Sequence, residues 1–322
     1  MKPLLVMAPA PARWPALADL YRHKGQPWLA DIEARVSRGV LGAQDAFAVI
    51  PDGGHVLAGA ALSKRGPIGV LGHVYTRPEH RRRGFARKVV ETLLTWFDMV
   101  GGRWLYLGTT AEVDASLYAK FGFTPLHRVA WTPFDRITMQ RVRPGTPPDP
   151  LADATGTVRV RPLTRADWPT MVALLQHRPG PDPRLPIAET AVSAELFTLD
   201  LIGHQERGAA QLRGAFFGDR LLGLGTLATE RPGPRTYAML VPHQDAPPPL
   251  RTALLELARE RGYEQVDFPM DALVGAGPLP PGGETAGPPT PAGDAVSAAP
   301  AGASSPEPTV APSGSAAADF SI

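Results

Sequence analysis

Arg81-Arg82-Arg83-Gly84-Phe85-Ala86 stands between an apolar stretch from Ile68 to Thr76 and a segment of helical spacing that runs to about Met99. Strand, glycine-bearing turn and helix start, in that order, leave several backbone N–H groups unpaired at the positive end of a helix dipole. Gly84 lets the backbone approach a bound group closely, and Ala86 keeps the next inward position small. Arg81, Arg82, Arg83, Arg87 and Lys88 gather positive charge around the same turn. The chemistry is anion binding, and a pyrophosphate is the natural guest. The plainer reading of such a charge run is a solvated basic face or a nucleic-acid patch.

Neither the G-x-G-x-x-G of a dinucleotide fold nor the G-x-x-x-x-G-K-[ST] of a nucleoside triphosphate loop stands at this turn. What stands there is Arg81-x-x-Gly84-x-Ala86, preceded by Val74-Tyr75-Thr76-Arg77-Pro78. That pattern resembles the acetyl-CoA pyrophosphate loop of the GNAT acetyltransferase superfamily. Downstream, Ala115-Ser116-Leu117-Tyr118-Ala119-Lys120-Phe121-Gly122-Phe123 resembles the family's second recurring stretch, A-x-x-L-Y-x-x-x-G-F. Leu117-Tyr118 alone fits any amphipathic helix; two patterns in the right order carry the resemblance.

The resemblance implies an α/β fold with a mixed, mostly antiparallel central sheet flanked by helices, and acetyl-CoA as acyl donor. By the same resemblance, the backbone amides of Arg82, Arg83, Gly84, Phe85, Ala86 and Arg87 hold the pyrophosphate, with Arg81 beside them. Val74, Tyr75 and Thr76 then lie along the pantetheine arm, one N–H facing the thioester carbonyl. Tyr118 takes the place of the tyrosine that protonates the departing thiolate; a phenol near pKa ~10 suits a thiol near ~8.5. Packing on the cofactor without acid–base work is its plainer role.

The general base is less legible. Relatives often place a glutamate on the strand before the loop or on the next one, where this chain has Val70, Gly72 and Tyr106. An asparagine common seven residues before the tyrosine is Ala111 here. His73, Glu112 and Asp114 remain nearby, as does a water-mediated route. His73 has a suitable ordinary pKa, but strand alternation could turn it onto either face. Trp28, Asp31, Trp131 and Phe134 fall where the family lines its acceptor cleft, and plain packing is the competing reading.

A chain of 322 residues has room for two domains, each with its own core. A net charge of +2 points to neither a nucleic-acid nor a membrane partner. With no cysteine, disulfides, thiol nucleophiles and cysteine–zinc sites are excluded. No segment has the apolar length to span a bilayer. The N-terminal stretch Lys2 to Ala10 is too short and too interrupted by proline for a secretory leader, so a cytoplasmic protein is expected.

Residues 1–142 read as one α/β unit: helices over Trp14–Tyr21 and Trp28–Val36, and a hairpin of Ala46–Ile50 and Val56–Leu62 around Asp52-Gly53-Gly54. After the loop helix come a strand at Trp104–Leu107, a short helix carrying Tyr118, and a hairpin of Val129–Phe134 and Arg136–Val142. Residues 143–157 read as a proline-rich linker. Residues 158–272 repeat the element order, with Thr164 capping a helix that runs through Leu175. Where the first unit has its arginine loop, the second has His243-Gln244-Asp245-Ala246-Pro247-Pro248-Pro249, in which proline removes amide donors. The second unit is therefore expected to be a degenerate GNAT-like domain, and residues 273–322, rich in Ala, Pro, Gly and Ser, a disordered tail. The expected activity is N-acetyl transfer to a primary amine of a small molecule. A protein or peptide amine as acceptor, or a non-catalytic acyl-CoA-binding module, are the alternatives.

Overall fold

A computed structural model describes residues 1–25, 28–109, 112–129, 136–152, 156–177, 194–229, 235–242 and 247–267. The expected tail lies outside these residues, as do Ala111, Trp131 and Phe134. An antiparallel meander forms the middle of the first layer: β1 (Leu4–Met7), β2 (Gln44–Asp52), β3 (His55–Arg65) and β4 (Ile68–Thr76). Gly53 and Gly54 make the β2–β3 turn at φ 53° and 93°, values that glycine alone adopts freely. β1 occupies the stretch weighed above as a leader; it pairs with β2, Val6 opposite Phe47.

α1 (Trp14–Tyr21) and α2 (Trp28–Glu33) cover one face of this sheet, α2 running on into a π-helical turn at Ala34–Arg38. α3 (Phe85–Met99) covers the other, burying Val89, Val90, Leu93, Leu94 and Phe97 against Leu105 and Leu107. Phe97 lies so close that a Cβ on Gly102 would come within 2.4 Å of its ring. Burying such a side chain stabilises by roughly 1.5–3 kcal/mol. β5 (Trp104–Thr109) returns parallel to β4, and α4 (Glu112–Ala119), β6 (Thr124–Val129) and β7 (Arg136–Val142) complete the order β1-β2-β3-β4-β5-β7-β6. The strand paired with β7 is described over Thr124–Val129, and the expected strand over Val129–Phe134 lies, past Val129, outside the described residues. Pro125 is tolerated there because β6 is an edge strand.

The expected linker is not a free spacer. The carbonyls of Pro147 and Pro148 accept bonds from Trp104 Nε1 and Gln140 Nε2, both at 2.8 Å, and Leu151 is buried. The second layer holds β8 (Arg159–Pro162), α5 (Trp168–His177), α6 (Ala194–Glu206), β9 (Ala210–Phe217), β10 (Arg220–Ala228), β11 (Arg235–Pro242), α7 (Pro247–Glu260) and β12 (Gln265–Asp267). Its sheet runs β12-β11-β10-β9-β8, antiparallel throughout except for the parallel β11–β12 pair. Order and direction match those of β1 to β5, whose parallel pair is β4–β5. Ahead of α5, the Thr164 N–H donates to Asp167 Oδ2 at 3.0 Å. α7 begins at Pro247-Pro248-Pro249, a first turn that needs no amide donors. α5 joins the layers: Trp168, Met171 and Val172 share one apolar cluster with Ile68, Val70, Trp104 and Tyr106 of the first sheet and Leu224 of the second.

Candidate active site

β4 and β5 pair at Ile68–Trp104, Gly69–Leu105 and Val70–Tyr106, and then part. Beyond Tyr106, β5 stays with β7 through Leu107, Gly108 and Thr109, while β4 stays with β3 through Tyr75 and Thr76. A cleft therefore opens between two parallel strands toward their C-terminal ends, edged by β4 amides with no partner strand. Gly72 borders it, and a Cβ there would meet nothing within 4 Å.

The cleft leads to the arginine turn. The chain takes left-handed φ at Arg82 (60°) and Gly84 (74°) before α3 starts at Phe85. A Cβ on Gly84 would also meet nothing within 4 Å, so the backbone is open to a ligand. Phe85 is buried in the α3 core and anchors the turn, while Arg82, Arg83 and Arg87 are exposed. Arg81 Nε instead donates to the Thr76 carbonyl at 3.3 Å, and Arg87 Nε to Glu91 at 2.8 Å. Val74 packs toward α3, and Tyr75 stacks on His23 with ring centroids 3.9 Å apart. Thr76 is buried.

A bulge settles which way His73 points. Gly59 pairs with Tyr75 and Ala61 with Gly72, so Ala60 faces both His73 and Val74. The extra residue reverses the alternation, and His73 turns toward α1 and α2 with Trp28 edge-on at 5.2 Å. His73 has φ 55°, a left-handed value uncommon for a residue with a Cβ. Its Nε2 lies 3.1 Å from Arg35 Nη2. A guanidinium only donates, so Nε2 accepts and its lone pair is committed. Burial, reinforced by the charges of Lys24, Arg35 and His23, holds the imidazole pKa well below its ordinary value. The lone pair that a base would offer is engaged.

Arg35 is itself buried, at 2.7 Å from Asp31 Oδ2 and 3.6 Å from Asp45 Oδ1. Burial lifts the Asp45 carboxyl pKa against the pull of Arg35 and Ser63. Asp31, expected at an acceptor cleft, is thus a partner of Arg35 and also receives Arg165 Nη1 from the second layer. Tyr118 is buried on α4 against Phe123, in the cluster that α3 covers. The sheet therefore separates Tyr118 from His73. The side chains of Glu112 and Asp114 lie outside the described residues. Arg35, Arg165 and Trp168 escaped sequence reasoning; the Asp31-x-x-x-Arg35 spacing was the available sign. A groove of about 440 Å³ between β8, β9 and α7 lies apart from all of these groups. Among the described residues, no cluster could hold a metal ion, and no helix is long and apolar enough to cross a membrane.

An open glycine-edged turn, exposed guanidinium groups and a cleft between parallel strands fit a diphosphate ester with a long thioester arm, which is the form of acetyl-CoA. No curated protein matches the chain. Among solved structures, the ribosomal-protein-S18-alanine N-acetyltransferase of Escherichia coli is 19% identical, with a TM-score of 0.36 over 43% of this chain and 94% of its own. An aminoglycoside 6'-N-acetyltransferase complexed with coenzyme A is 15% identical, covering 44% of this chain and 97% of its own at a TM-score of 0.37. An acyl-CoA N-acyltransferase from Pseudomonas aeruginosa is 18% identical, covering 44% and 100% at 0.35. Residues 14–123 match the profile of the acetyltransferase (GNAT) family. Residues 14–123 are thus similar to a family of acetyltransferases whose acyl donor is acetyl-CoA.

Proposed function

We propose that residues 1–142 move an acetyl group from acetyl-CoA to the primary amine of a small molecule. The observation that carries this reading is the parting of β4 from β5 beside the Gly84 turn. Acetyl-CoA supplies the activated acetyl group and a thiolate leaving group. The amides from Arg82 to Arg87 hold the diphosphate, and the exposed Arg82 and Arg83 add charge to the same place. Backbone groups of Val74, Tyr75 and Thr76 line the pantetheine arm. An amide of β4 beside the bulge polarises the thioester carbonyl, a donor worth about 3–4 kcal/mol when pre-aimed. Tyr118 holds the proton for the departing sulfur. Water takes the proton of the amine, because His73 has given its lone pair to Arg35. Cover of that sheet face by α2 and α5 favours a small amine over the flat surface of a folded protein.

We infer further that residues 158–272 are a degenerate copy of the same fold. Shared strand order and direction support this, and the prolines that open α7 favour a donor site in the first copy alone. The test is release of free thiol from acetyl-CoA with a panel of amines, alongside calorimetry. One acetyl-CoA per chain and thiol release with a small amine are expected. Binding without thiol release from any amine would replace the enzyme with an acyl-CoA-binding module, and a stoichiometry of two would give the second copy a site.

A further inference from the structure

We propose that Arg35 is a positioning residue for acyl transfer: it holds the β4 bulge at His73, and α5 holds Arg35. This rests on the acetyltransferase reading of residues 1–142. The bulge lies just past Gly72, where β4 has already lost β5, so its conformation decides where the amides at the head of the cleft point. A bulge with a left-handed first residue ordinarily gives that place to glycine. Here histidine stands there at φ 55°, and the surroundings must hold it.

Arg35 is the holding group. It stands on the π-helical turn Ala34–Arg38, which shifts it out of α-helical register. One Nη2 reaches both Asp31 Oδ2 at 2.7 Å and His73 Nε2 at 3.1 Å. The planar fork fixes the imidazole in direction as well as distance. What fixes the fork comes from the other layer. The Trp168 ring of α5 lies 5.2 Å from the guanidinium carbon, and Arg165 bonds Asp31 while gripping Glu206 through Nε at 2.9 Å and Nη2 at 2.7 Å. The second layer thereby acts on the cleft through a buried ion network.

The test uses the full chain and a double-mutant cycle between Arg35→Lys and His73→Gly, read as kcat for thiol release and as Kd for acetyl-CoA. Lysine keeps a cation for Asp31 and Asp45 but loses the fork. Arg35→Lys is expected to lower kcat by about 10²-fold, the cost of a misplacement of about 1 Å, with Kd within a few-fold of wild type. In His73→Gly glycine takes the left-handed turn unaided, so this substitution is expected to abolish the effect of Arg35→Lys in the double variant. If Arg35→Lys fails to fold, Trp168→Leu takes its place in the cycle, with the same rescue by His73→Gly expected. Wild-type kcat in Arg35→Lys or in Trp168→Leu would overturn the proposal, as would losses that add in full. Loss of turnover in His73→Gly with acetyl-CoA still bound would make His73 a reacting group and likewise overturn it. A wild-type chain that releases no thiol with any amine would instead overturn the acetyltransferase reading beneath it.

Discussion

Tyr106 Oη and His177 Nε2 lie 2.8 Å apart and join β5 to the last residue of α5. Gln140 Nε2 donates to the same phenol at 3.0 Å, and His177 Nδ1 lies 3.6 Å from Asp149 Oδ1. Burial pushes the Tyr106 pKa up and keeps it a donor. The cluster stands at the last β4–β5 pair, Val70–Tyr106, where the cleft begins. The two layers are thus pinned at the vertex of the β4–β5 cleft.

Tyr106→Phe should therefore weaken the fold by about 1–3 kcal/mol, since it leaves polar groups of His177 and Gln140 buried without the phenol. Paired with His177→Leu, it should give a double variant less damaged than the sum of the two. Urea unfolding of the four proteins measures this, and strictly additive losses would show that the two side chains do not act together.

Gly84→Glu should abolish most donor binding while sparing the fold. A side chain at φ 74° costs about 1–2 kcal/mol of backbone strain, tolerable in a turn with open space around it. The new carboxylate would face the diphosphate, and one like-charge contact of about 4 kcal/mol near a surface means a loss of affinity beyond 10²-fold. Calorimetry against acetyl-CoA, with circular dichroism as the folding control, tests it; wild-type affinity would move the anion site away from this turn.

Acid should loosen the protein through His73. Its folded pKa lies well below the unfolded value near ~6.5, so in that window the unfolded chain binds more protons. Stability must then rise with pH across the window and fall on acidification below about pH 6.5. The charges of Lys24, Arg35 and His23 deepen the effect. His73→Gln should flatten this slope relative to wild type in urea midpoints taken between about pH 7.5 and 5. Parallel curves for the two proteins would assign the acid response to other groups.

How much of this was legible in the sequence depended on whether the cause was local. The β4–turn–α3 unit and α1 are read off directly, because apolar spacing and Gly84 specify them within a few residues. α6 has no such stripe: Phe197, Thr198, Leu199, Leu201 and Ile202 are buried around much of its circumference. β6 hides behind Pro125, which only an edge position permits. The direction of His73 depends on a register slip against β3, and the burial of Arg35 depends on Trp168 of a distant element. Neither leaves a periodic trace. Pairings of that kind are visible only when the chain is folded.

Tyr118→Phe separates chemistry from packing. Tyr118 is buried against Phe123 in the α3 cluster, so the ring has a structural place that phenylalanine fills. Acetyl-CoA affinity and melting temperature should barely change. If the hydroxyl protonates the departing thiolate, kcat should fall by about 10²-fold or more, within the range of a general acid. The lost interaction would belong to the transition state, so kcat and kcat/KM should drop together. The measurement needs an amine for which chemistry limits turnover, established by a burst-free single-turnover trace. An unchanged rate under those conditions would reduce Tyr118 to a core side chain, and the proton for the sulfur would have to come from solvent in the cleft.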